Sequence, residues 1–338
     1  MANLKDVARL AGVDPSTVSR VLRNEWADVV RPETRERIVR AAADLGYRAN
    51  AVAKGLRTRR TNTFGFIVPD LDNIGFADVS HGVQAAAVEA GYLVLLADGR
   101  VVATEEELIE RLVLEGRVDG LLLAYAQQED RFIGQLAHQH VPIVLVNRRA
   151  EGAPGSVVVD DQLGAALAVR HLSDLGHRSI GFVGGPLTFD TGRRRDAGFR
   201  ETLADRGLPV REDWIADGGY SEAGGHAAAT KILGNRHDRP TALFAANLMS
   251  GLGTLRAIRE LGMHVPVDVS LVAMDEHIVA EHANPPITTI AMPLYRMGVV
   301  AVGMLLDAID RRQPVRHVMI DEQPRLVTRA SSGPPPSG

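Results

Sequence analysis

A run of hydroxyl groups ending in a guanidinium lies near the N-terminus, where the sequence reads PSTVSR. An arginine can donate two hydrogen bonds to a guanine, and short hydroxyl groups suit phosphate oxygens. Pro15, Ser16 and Arg20 are therefore candidates for contact with base edges. Thr17 and Ser19 are candidates for contact with phosphates. The alternative is an ordinary helical hairpin in which the same side chains are solvated.

The residues around this run predict a helix-turn-helix. A first helix is indicated by apolar residues at helical spacing, namely Leu4, Val7, Ala8 and Leu10. Gly12 can take the left-handed conformation that ends a helix, and Asp14 followed by Pro15 is typical of the start of the next. The second helix would bury Val18, Val21 and Leu22. In this motif the start of the second helix enters the major groove.

A third helix is predicted over residues 32–45, and it would pack on the first two through Ile38, Ala41, Ala42 and Leu45. The charge of the chain is concentrated around these helices. Residues 1–60 hold 13 Lys and Arg against 7 Asp and Glu, whereas the rest of the chain holds 25 against 35. A basic head on an acidic body is typical of a nucleic-acid-binding module joined to another domain.

Length and composition narrow the class further. A chain of 338 residues exceeds one ordinary core, and 45% hydrophobic with 24% charged residues is typical of a folded globular protein. The absence of cysteine excludes disulfides and thiol nucleophiles. Because the N-terminus is charged and no apolar run is long enough for a membrane span, we expect a cytoplasmic protein.

Beyond residue 61, short apolar runs alternate with amphipathic stretches. The runs FGFIVPD, YLVLLAD, VDGLLLAYA, PIVLVNR, SIGFVGG, TALFAAN and VSLVAMD predict buried strands of parallel sheets. Helical patterns lie near residues 77–90, 104–115, 129–140, 192–206, 221–234 and 250–261. This alternation predicts α/β sheets that bind ligands at the carboxyl ends of their strands. Two such series in succession indicate two lobes with a cleft between them.

The sequence carries no motif for catalysis. It has neither phosphate-loop motif and no G-x-S-x-G sequence. The histidines that lie close together in sequence lack the other ligands of a metal site, and these are His138, His140, His277 and His282. We therefore expect surface histidines, no metal, no cofactor and no enzyme activity.

Ordered motifs extend along nearly the whole chain. They include DVARLAGVDPSTVSRVL, TRERIVRAAADLGYRAN, AVAKGLRTRRTNTFGFIVPD, HLSDLGHRSIGFVGGP, PTALFAAN and VPVDVSLVAMDE. In these motifs the chain resembles the lactose-repressor (LacI/GalR) family. The resemblance implies a helix-turn-helix head over 1–48, a hinge helix or linker over 49–60 and a body over 61–330 that resembles a periplasmic binding protein. Its first lobe would take residues 61–160 and 290–320, and its second lobe 161–289.

The resemblance also assigns DNA contacts to the hinge, at Asn50, Lys54 and Leu56. In the family, the leucine matching Leu56 inserts into the minor groove at a central CpG step, which bends the duplex. Two subunits must bring paired hinges to a near-palindromic operator, so a homodimer is expected. The hinge departs from the family at Ala49, where proline is usual, and the preceding loop is longer and carries Trp26.

Effector-binding residues are expected at strand ends and at positions that match the family. They are Phe76, Asp160, Phe189, Thr191, Arg195, Tyr220, Asn247 and Asp275. Arg195 matches the arginine that holds the effector in relatives, and a guanidinium suits sugar hydroxyls or a carboxylate. Leu248 stands where most relatives carry Asp, which would remove a charged acceptor from the site. For each residue the alternative is a buried polar side chain bonded only within the protein.

The sequence therefore predicts a transcriptional regulator, most often a repressor in this family, controlled by a small molecule such as a sugar. One alternative is a solute-binding protein without a DNA function, and another is a regulator that has lost its effector. The last eight residues, SSGPPPSG, are too rich in Pro, Gly and Ser to predict folded structure. They contain no heptads for a tetramerising coiled coil, so a dimer is expected rather than a tetramer.

Overall fold

The computed structural model describes residues 2–22, 29–47, 60–101, 105–125, 133, 142–311 and 313–336. The chain divides into two compact units, Met1–Thr61 and Asn62–Gly338. We call the first unit the head and the second the body. The fold of each follows from its own sequence pattern.

The head begins with helix α1 (Leu4–Ala11), which is capped at both ends. Asn3 accepts hydrogen bonds from the backbone of Lys5 and Asp6, and the Asp6 carboxylate accepts one from the Asn3 backbone, 3.0 Å away. This reciprocal pair satisfies amide groups that the first turn leaves free. Gly12 ends the helix with a φ of 62°, the left-handed conformation predicted for it.

Helices α2 (Pro15–Leu22) and α3 (Pro32–Asp44) complete the described part of the head. The Asp14 carboxylate accepts a hydrogen bond of 2.7 Å from the Ser16 amide, as expected for the start of a helix. The three helices share an apolar core formed by Val7, Ala8, Ala11, Val18, Val21, Ile38, Ala41 and Ala42. Arg37 donates a 2.7 Å hydrogen bond to the Ala11 carbonyl and so joins α3 to the end of α1. The predicted helix-turn-helix is confirmed.

The predicted apolar faces of the head need two corrections. Leu10 is 55% exposed, and Ala11 takes the buried position one residue further on. Leu45 caps the end of α3 and is 36% exposed, so it lies at the edge of the core. Both leucines fit a helical spacing from the core residues, but small alanines fill the space between these short helices.

The body begins with a lobe in which strands and helices alternate. Its elements in chain order are β1 (Thr63–Val68), α4 (Gly75–Glu89), β2 (Leu93–Asp98), α5 (Glu105–Leu114), β3 (Gly120–Leu123), β4 (Ile143–Val146) and β5 (Ser156–Val158). A second alternating series then forms the other lobe. Its elements are α6 (Asp161–Asp174), β6 (Ile180–Gly184), α7 (Asp190–Asp205), β7 (Ile215–Asp217), α8 (Glu222–Leu233), β8 (Ala242–Ala245), α9 (Leu248–Glu260), β9 (Ser270–Met274), α10 (Ile278–His282) and β10 (Thr288–Ala291).

The chain then crosses twice more between the lobes. Helix α11 (Leu294–Arg311) and strand β11 (His317–Met319) return to the first lobe, and β12 (Arg325–Val327) ends in the second. The first sheet has the order β11-β5-β4-β3-β1-β2 and is parallel throughout. The second has the order β12-β10-β9-β8-β6-β7 and is parallel except for the β10–β12 pair. The predicted α/β class with two lobes is confirmed.

Close helix packing fixes the returning helix α11 against α4. A Cβ atom added to Gly82 would lie 2.1 Å from the Tyr295 carbonyl oxygen, so only glycine permits this approach. Leu294 at the start of α11 is thereby held at the cleft between the two sheets.

Three parts of the body differ from the sequence prediction. Strand β2 is present but it is an edge strand with exposed Leu93, Leu95 and Leu96, not a buried strand. Helices α6, α10 and α11 and the strands β5, β7, β10, β11 and β12 were not predicted; α10 and these strands have only three to five residues each. The helical pattern at 129–140 lies outside the described residues except for Ile133.

The prediction of an unfolded tail is wrong for its first residues. Ser331 is fully buried, its backbone carbonyl accepts a 2.7 Å hydrogen bond from Leu271, and its hydroxyl contacts Thr288 and Leu271. The carbonyl of Gly333 lies 2.9 Å from Nε2 of the buried His177. Small polar residues, which make a tail soluble, also let its backbone lie close beside β9.

Candidate functional site

A cleft in the body collects polar side chains from the carboxyl ends of strands in both sheets. The space between its walls, with the solvent at its mouth included, is about 350 Å³. The lining residues are Asn73, Gly75, Phe76, Asn147, Arg148, Thr191, Arg195, Tyr220, Asn247, Asp275 and Leu294. Asn147 and Arg148 follow β4 of the first lobe, and Asn247 and Asp275 follow β8 and β9 of the second. The cleft thus lies where α/β sheets bind ligands.

Backbone strain is concentrated in this lining. Among the described residues, four that are not glycine have a positive φ, and three of them line the cleft: Asn147 at 62°, Tyr220 at 56° and Asp275 at 73°. Asn and Asp tolerate this conformation, but for tyrosine it costs roughly 1–2 kcal/mol. Such conformations persist where the surrounding structure holds a side chain in a functional position.

Arg195 is the central cation of the second lobe. It is 3% exposed, and its Nε donates a 2.7 Å hydrogen bond to Asp161, which is completely buried. Nη1 donates to the Ala246 carbonyl, and the guanidinium lies 5.5 Å from the Tyr220 ring centroid. Burial opposes the charge of Arg195, but Asp161, Tyr220 and Asp275 outweigh it and raise the pKa above its usual value.

A second arginine, Arg194, shares the same carboxylate. Its Nη1 donates to Asp161 and, at 2.7 Å, to the Val159 carbonyl, while its Nε donates to Asp190 at 2.9 Å. Asp161 therefore binds two guanidinium groups at the crossing between the lobes. Arg194 and Arg195 together face the two carboxylates of Asp161 and Asp190, which balances their charge.

Arg148 is a second buried arginine, and no carboxylate among the described residues bonds to it. It is 4% exposed, its Nε donates a 2.7 Å hydrogen bond to the Ala124 carbonyl, and Nη1 lies 3.4 Å from the Thr191 hydroxyl. Its guanidinium carbon stacks 4.1 Å from the Phe189 ring centroid. Burial lowers the pKa of Arg148 to about 10; Tyr220, Asp161 and Asp190 oppose that shift and Arg195 adds to it, so the group is still a cation at neutral pH.

Asp275 faces the cavity from the opposite lobe. It is 6% exposed, and its Oδ1 is buried without a hydrogen-bond partner among the described residues, 3.9 Å from Nη2 of Arg195. Burial raises the pKa of Asp275 to about 6, and Arg195 opposes part of that shift. Asn147 presents a second buried acceptor, because its Oδ1 also lacks a partner.

The remaining polar residues of the lining are bonded to one another. Tyr220 donates a 3.2 Å hydrogen bond to the Thr191 hydroxyl, and burial raises the pKa of its phenol. Asn247 accepts from the Ser250 amide at 2.9 Å as the cap of α9 and donates to the Tyr220 carbonyl at 3.0 Å. These bonds hold the Tyr220 ring beside Arg195.

Six of the eight predicted effector residues line the cavity: Phe76, Thr191, Arg195, Tyr220, Asn247 and Asp275. Phe189 is not in the lining but stacks under Arg148. Asp160 is not in the lining either, because its carboxylate caps α6 by accepting a 2.9 Å hydrogen bond from Leu163. The adjacent Asp161 is also outside the lining, and it is completely buried between Arg194 and Arg195.

The expectation for Leu248 is wrong as well. Its side chain is 1% exposed and lies in the apolar core of the second lobe, not in the cleft. Asn247 is the cap and Leu248 the first residue of α9, so successive side chains point to different sides. An effector site does not depend on an acidic residue at this position.

Sequence reasoning missed Asn147, Arg148 and Leu294, and from the run Asn73-Ile74-Gly75-Phe76 after the first strand it selected only Phe76. Asn147 and Arg148 end the apolar run PIVLVNR, so their position at a strand end was a usable signal. Leu294 had no such signal, because it reaches the cleft only through the return of α11 to the first lobe.

The head presents the predicted DNA-contact residues on one part of α2. Pro15, Thr17, Ser19 and Arg20 are half-buried and Ser16 is exposed, whereas Val18 and Val21 are buried in the head. Polar groups therefore lie outside the core at the start of the second helix, where such motifs contact base edges.

Several predicted features lie outside the described residues. These are the hinge residues Ala49, Asn50, Lys54 and Leu56, the loop residue Trp26, and His138 and His140. In the described part of the chain, His277 caps α10 by accepting from the Val279 amide, and His282 contacts the Ile278 carbonyl. Within that part, no group of three or more possible metal ligands occurs, and no helix is long and apolar enough to cross a membrane.

A helix-turn-helix head joined to a two-lobed body with a polar cleft defines a class, that of DNA-binding regulators with a small-molecule-binding body. Comparison with known proteins agrees. Residues 3–50 match the model of bacterial regulatory proteins of the lacI family, and residues 169–332 match a periplasmic binding protein-like domain.

Similar proteins extend over nearly the whole chain. The HTH-type transcriptional repressor PurR of Proteus mirabilis is 32% identical over 335 residues, covering 98% of this chain and 97% of that protein. A lac repressor dimer bound to operator and the anti-inducer ONPF superposes with a TM-score of 0.84 at 28% identity, covering 98% of this chain and 99% of that one. A complex of the transcriptional regulator CelR with cellobiose gives 0.73 at 34% identity, covering 98% and 100%. The chain belongs to the LacI family and is a transcriptional repressor.

Proposed function

We propose that this repressor binds a near-palindromic DNA operator as a homodimer and that a small molecule in the cleft controls its affinity. The single observation that supports an effector site is the composition of the cleft lining. Among the described residues, that lining contains the buried cation Arg148 without a bonded carboxylate, and Asp275 and Asn147 carry acceptors without a donor. Buried polar groups of this kind are costly unless a bound molecule satisfies them.

The DNA contacts belong to α2 and to the hinge. Pro15, Ser16 and Arg20 read base edges, and Thr17 and Ser19 bind phosphates. The hinge residues Asn50, Lys54 and Leu56 remain predictions that rest on the family resemblance. DNA binding and the family together favour a cytoplasmic protein that is not an enzyme.

A second copy of the chain covers the exposed edge of the first sheet. Leu93 is 70% exposed and Leu95 46%, and the two lie on one face of the edge strand β2. Val94 between them packs against the core, so the leucines face away from it. Exposed apolar residues on an edge strand favour pairing with another chain. A dimer through this edge would bring two heads to the two half-sites of an operator.

Control follows from the two lobes. A ligand that bonds to both Asn147 of the first lobe and Asp275 of the second favours the arrangement in which they face each other. A shift in this equilibrium changes the dimer and therefore the operator affinity. Coupling of this kind amounts to roughly 5- to 150-fold in affinity.

Selection of bound sites from a random duplex pool at low salt tests the proposed DNA function. We expect wild type to enrich a near-palindrome with a central CpG step, and Leu56→Ala to lose that enrichment. Arg20→Gln should weaken the base preference at one position in each half-site, because one bidentate base contact is lost.

The matched control is Arg40→Gln on the exposed face of α3, which removes the same charge and should leave the enriched sequence unchanged. Failure of wild type to enrich any site would contradict the proposed function. An enriched site without a two-fold relation would contradict the dimer.

A further inference from the structure

We infer that the effector is a small hydroxylated acid whose carboxylate or phosphate binds Arg148 and whose hydroxyl groups donate to Asp275 and Asn147. This inference deepens the proposed function and rests on its effector site. It names the chemistry of the ligand and adds Arg148 as the residue that selects it.

Three arginines differ in their partners, two of them buried in the lining of the cleft and the third, Arg194, beside it. Arg194 donates to Asp161 and Asp190, and Arg195 donates to Asp161, so both form ion pairs inside the protein. Among the described residues, Arg148 bonds to a carbonyl and a hydroxyl and stacks on an aromatic ring, none of which carries a negative charge. The carboxylates of Asp161 and Asp190 act on Arg148 without bonding to it. A buried cation without a bonded counter-charge is unfavourable, so a bound anion would stabilise this site more than the other two.

The position of Arg148 makes it available to a ligand. It lines the cavity, and Nη2 of its planar guanidinium makes no hydrogen bond among the described residues. A carboxylate or phosphate can accept two parallel hydrogen bonds from such a group. Stacking on Phe189 fixes the plane of the guanidinium before the ligand arrives.

The rest of the lining requires donors rather than another acid. Oδ1 of Asp275 in the second lobe and Oδ1 of Asn147 in the first are buried and lack a hydrogen-bond partner among the described residues. Hydroxyl groups are donors that satisfy both oxygens without introducing a charge. A neutral sugar satisfies these acceptors but brings no negative charge to Arg148. An acid without hydroxyl groups brings that charge but leaves the two acceptors without donors. A molecule that carries both an acid group and hydroxyl groups satisfies the whole lining.

The test compares acids with their neutral counterparts in full-length protein, using calorimetric titration and thermal shift. The matched probes are D-glucuronate against D-glucose, D-galacturonate against D-galactose, and D-glucose 6-phosphate against D-glucose. Acetate and inorganic phosphate serve as acids without a hydroxylated chain. We expect at least one hydroxylated acid to bind at least about 30-fold more tightly than its neutral counterpart, the loss typical of leaving a buried charge unpaired. The carboxylate and phosphate arms show which acid group is preferred.

Arg148→Gln should remove the preference for the acid, whereas the neighbouring Arg149→Gln, outside the lining, should keep it. The melting temperature of ligand-free Arg148→Gln gives a second readout. A buried arginine that serves binding destabilises the ligand-free protein, so Arg148→Gln should melt no lower than wild type. If the arginine instead stabilises the fold, its replacement should lower the melting temperature.

The inference is overturned if neutral sugars bind as tightly as their acids, if no acid of the panel binds, or if Arg148→Gln leaves the acid preference intact. None of these outcomes changes the result expected from the operator selection, because that experiment depends on the head. Failure here with an enriched operator would therefore remove the acid specificity and leave the DNA function standing.

Discussion

Some of the buried charges in and beside the cleft form ion pairs, and others have no hydrogen-bonded partner of opposite charge among the described residues. Asp161 is completely buried and binds two arginines, whereas Asp275 stands 3.9 Å from Arg195 with an unsatisfied oxygen. The first arrangement joins α6 to α7, and the second leaves an acceptor for the proposed effector. At the scale of the residue, we therefore expect substitutions of these two carboxylates to change the stability of the ligand-free protein in opposite directions.

Asp275→Asn should stabilise the ligand-free protein at neutral pH. The folded-state pKa of Asp275, about 6, lies above the ordinary aspartate value of 3.8, so the charged form is unfavourable in the folded state. That penalty is fully present above pH 6 and is relieved as the pH falls towards 4. The variant should gain about 3 kcal/mol at neutral pH and lose this part of the pH dependence.

Urea unfolding of both proteins across this pH range measures the effect. Asp205→Asn, at an exposed position at the end of α7, is the control and should follow wild type. Parallel pH profiles for wild type and Asp275→Asn would contradict the assigned burial of this carboxylate.

Asp161→Asn should instead be strongly destabilising, because it leaves Arg194 and Arg195 buried without their shared carboxylate. The expected loss is about 3–5 kcal/mol in the free energy of unfolding, measured in urea. Asp160→Asn, which retains a capping oxygen beside it, should lose far less. Equal losses in the two variants would show that the two guanidinium groups are stable without Asp161.

At the scale of the element, the strongly patterned segments were predictable and the irregular ones were not. The apolar runs that became β1, β3, β4, β6, β8 and β9 and the turn at Gly12 follow directly from local sequence. Arg195 was found because it matches a family motif, and Asp275 because it ends a strand. Leu248 was misplaced because the direction of its side chain depends on where α9 begins. The tail was misjudged because composition says nothing about the partners that a backbone meets.

The ordered tail leads to a test of its own. A chain ending at Ala330 loses the bonds of Ser331 to Leu271 and Thr288 and the contact of Gly333 with His177. We expect a loss of about 3 kcal/mol in stability, since several buried groups become unsatisfied at about 1 kcal/mol or more each. A chain ending at Pro334 keeps these contacts and should unfold like wild type. Equal stability of all three chains in urea would contradict the docking of the tail.

At the scale of the whole molecule, the proposed operator binding requires two copies of the chain in one dimer. Leu93→Asp combined with Leu95→Asp places two charges on the exposed face of β2. We expect a monomer in analytical ultracentrifugation and a weaker operator complex, because two half-sites no longer bind as one unit. Leu187→Asp is the control, since this leucine is 57% exposed in the second lobe and away from the sheet edge. A double variant that stays dimeric would place the interface elsewhere.

The central claim is that occupancy of the cleft changes the affinity for DNA. The direct measurement is the dissociation constant of the selected operator for full-length protein, with and without the hydroxylated acid that stabilises it most. We predict a change of roughly 5- to 150-fold, which disappears in Arg148→Gln and persists in Arg149→Gln. An operator affinity that is the same with the cleft empty and with the cleft saturated would contradict the account.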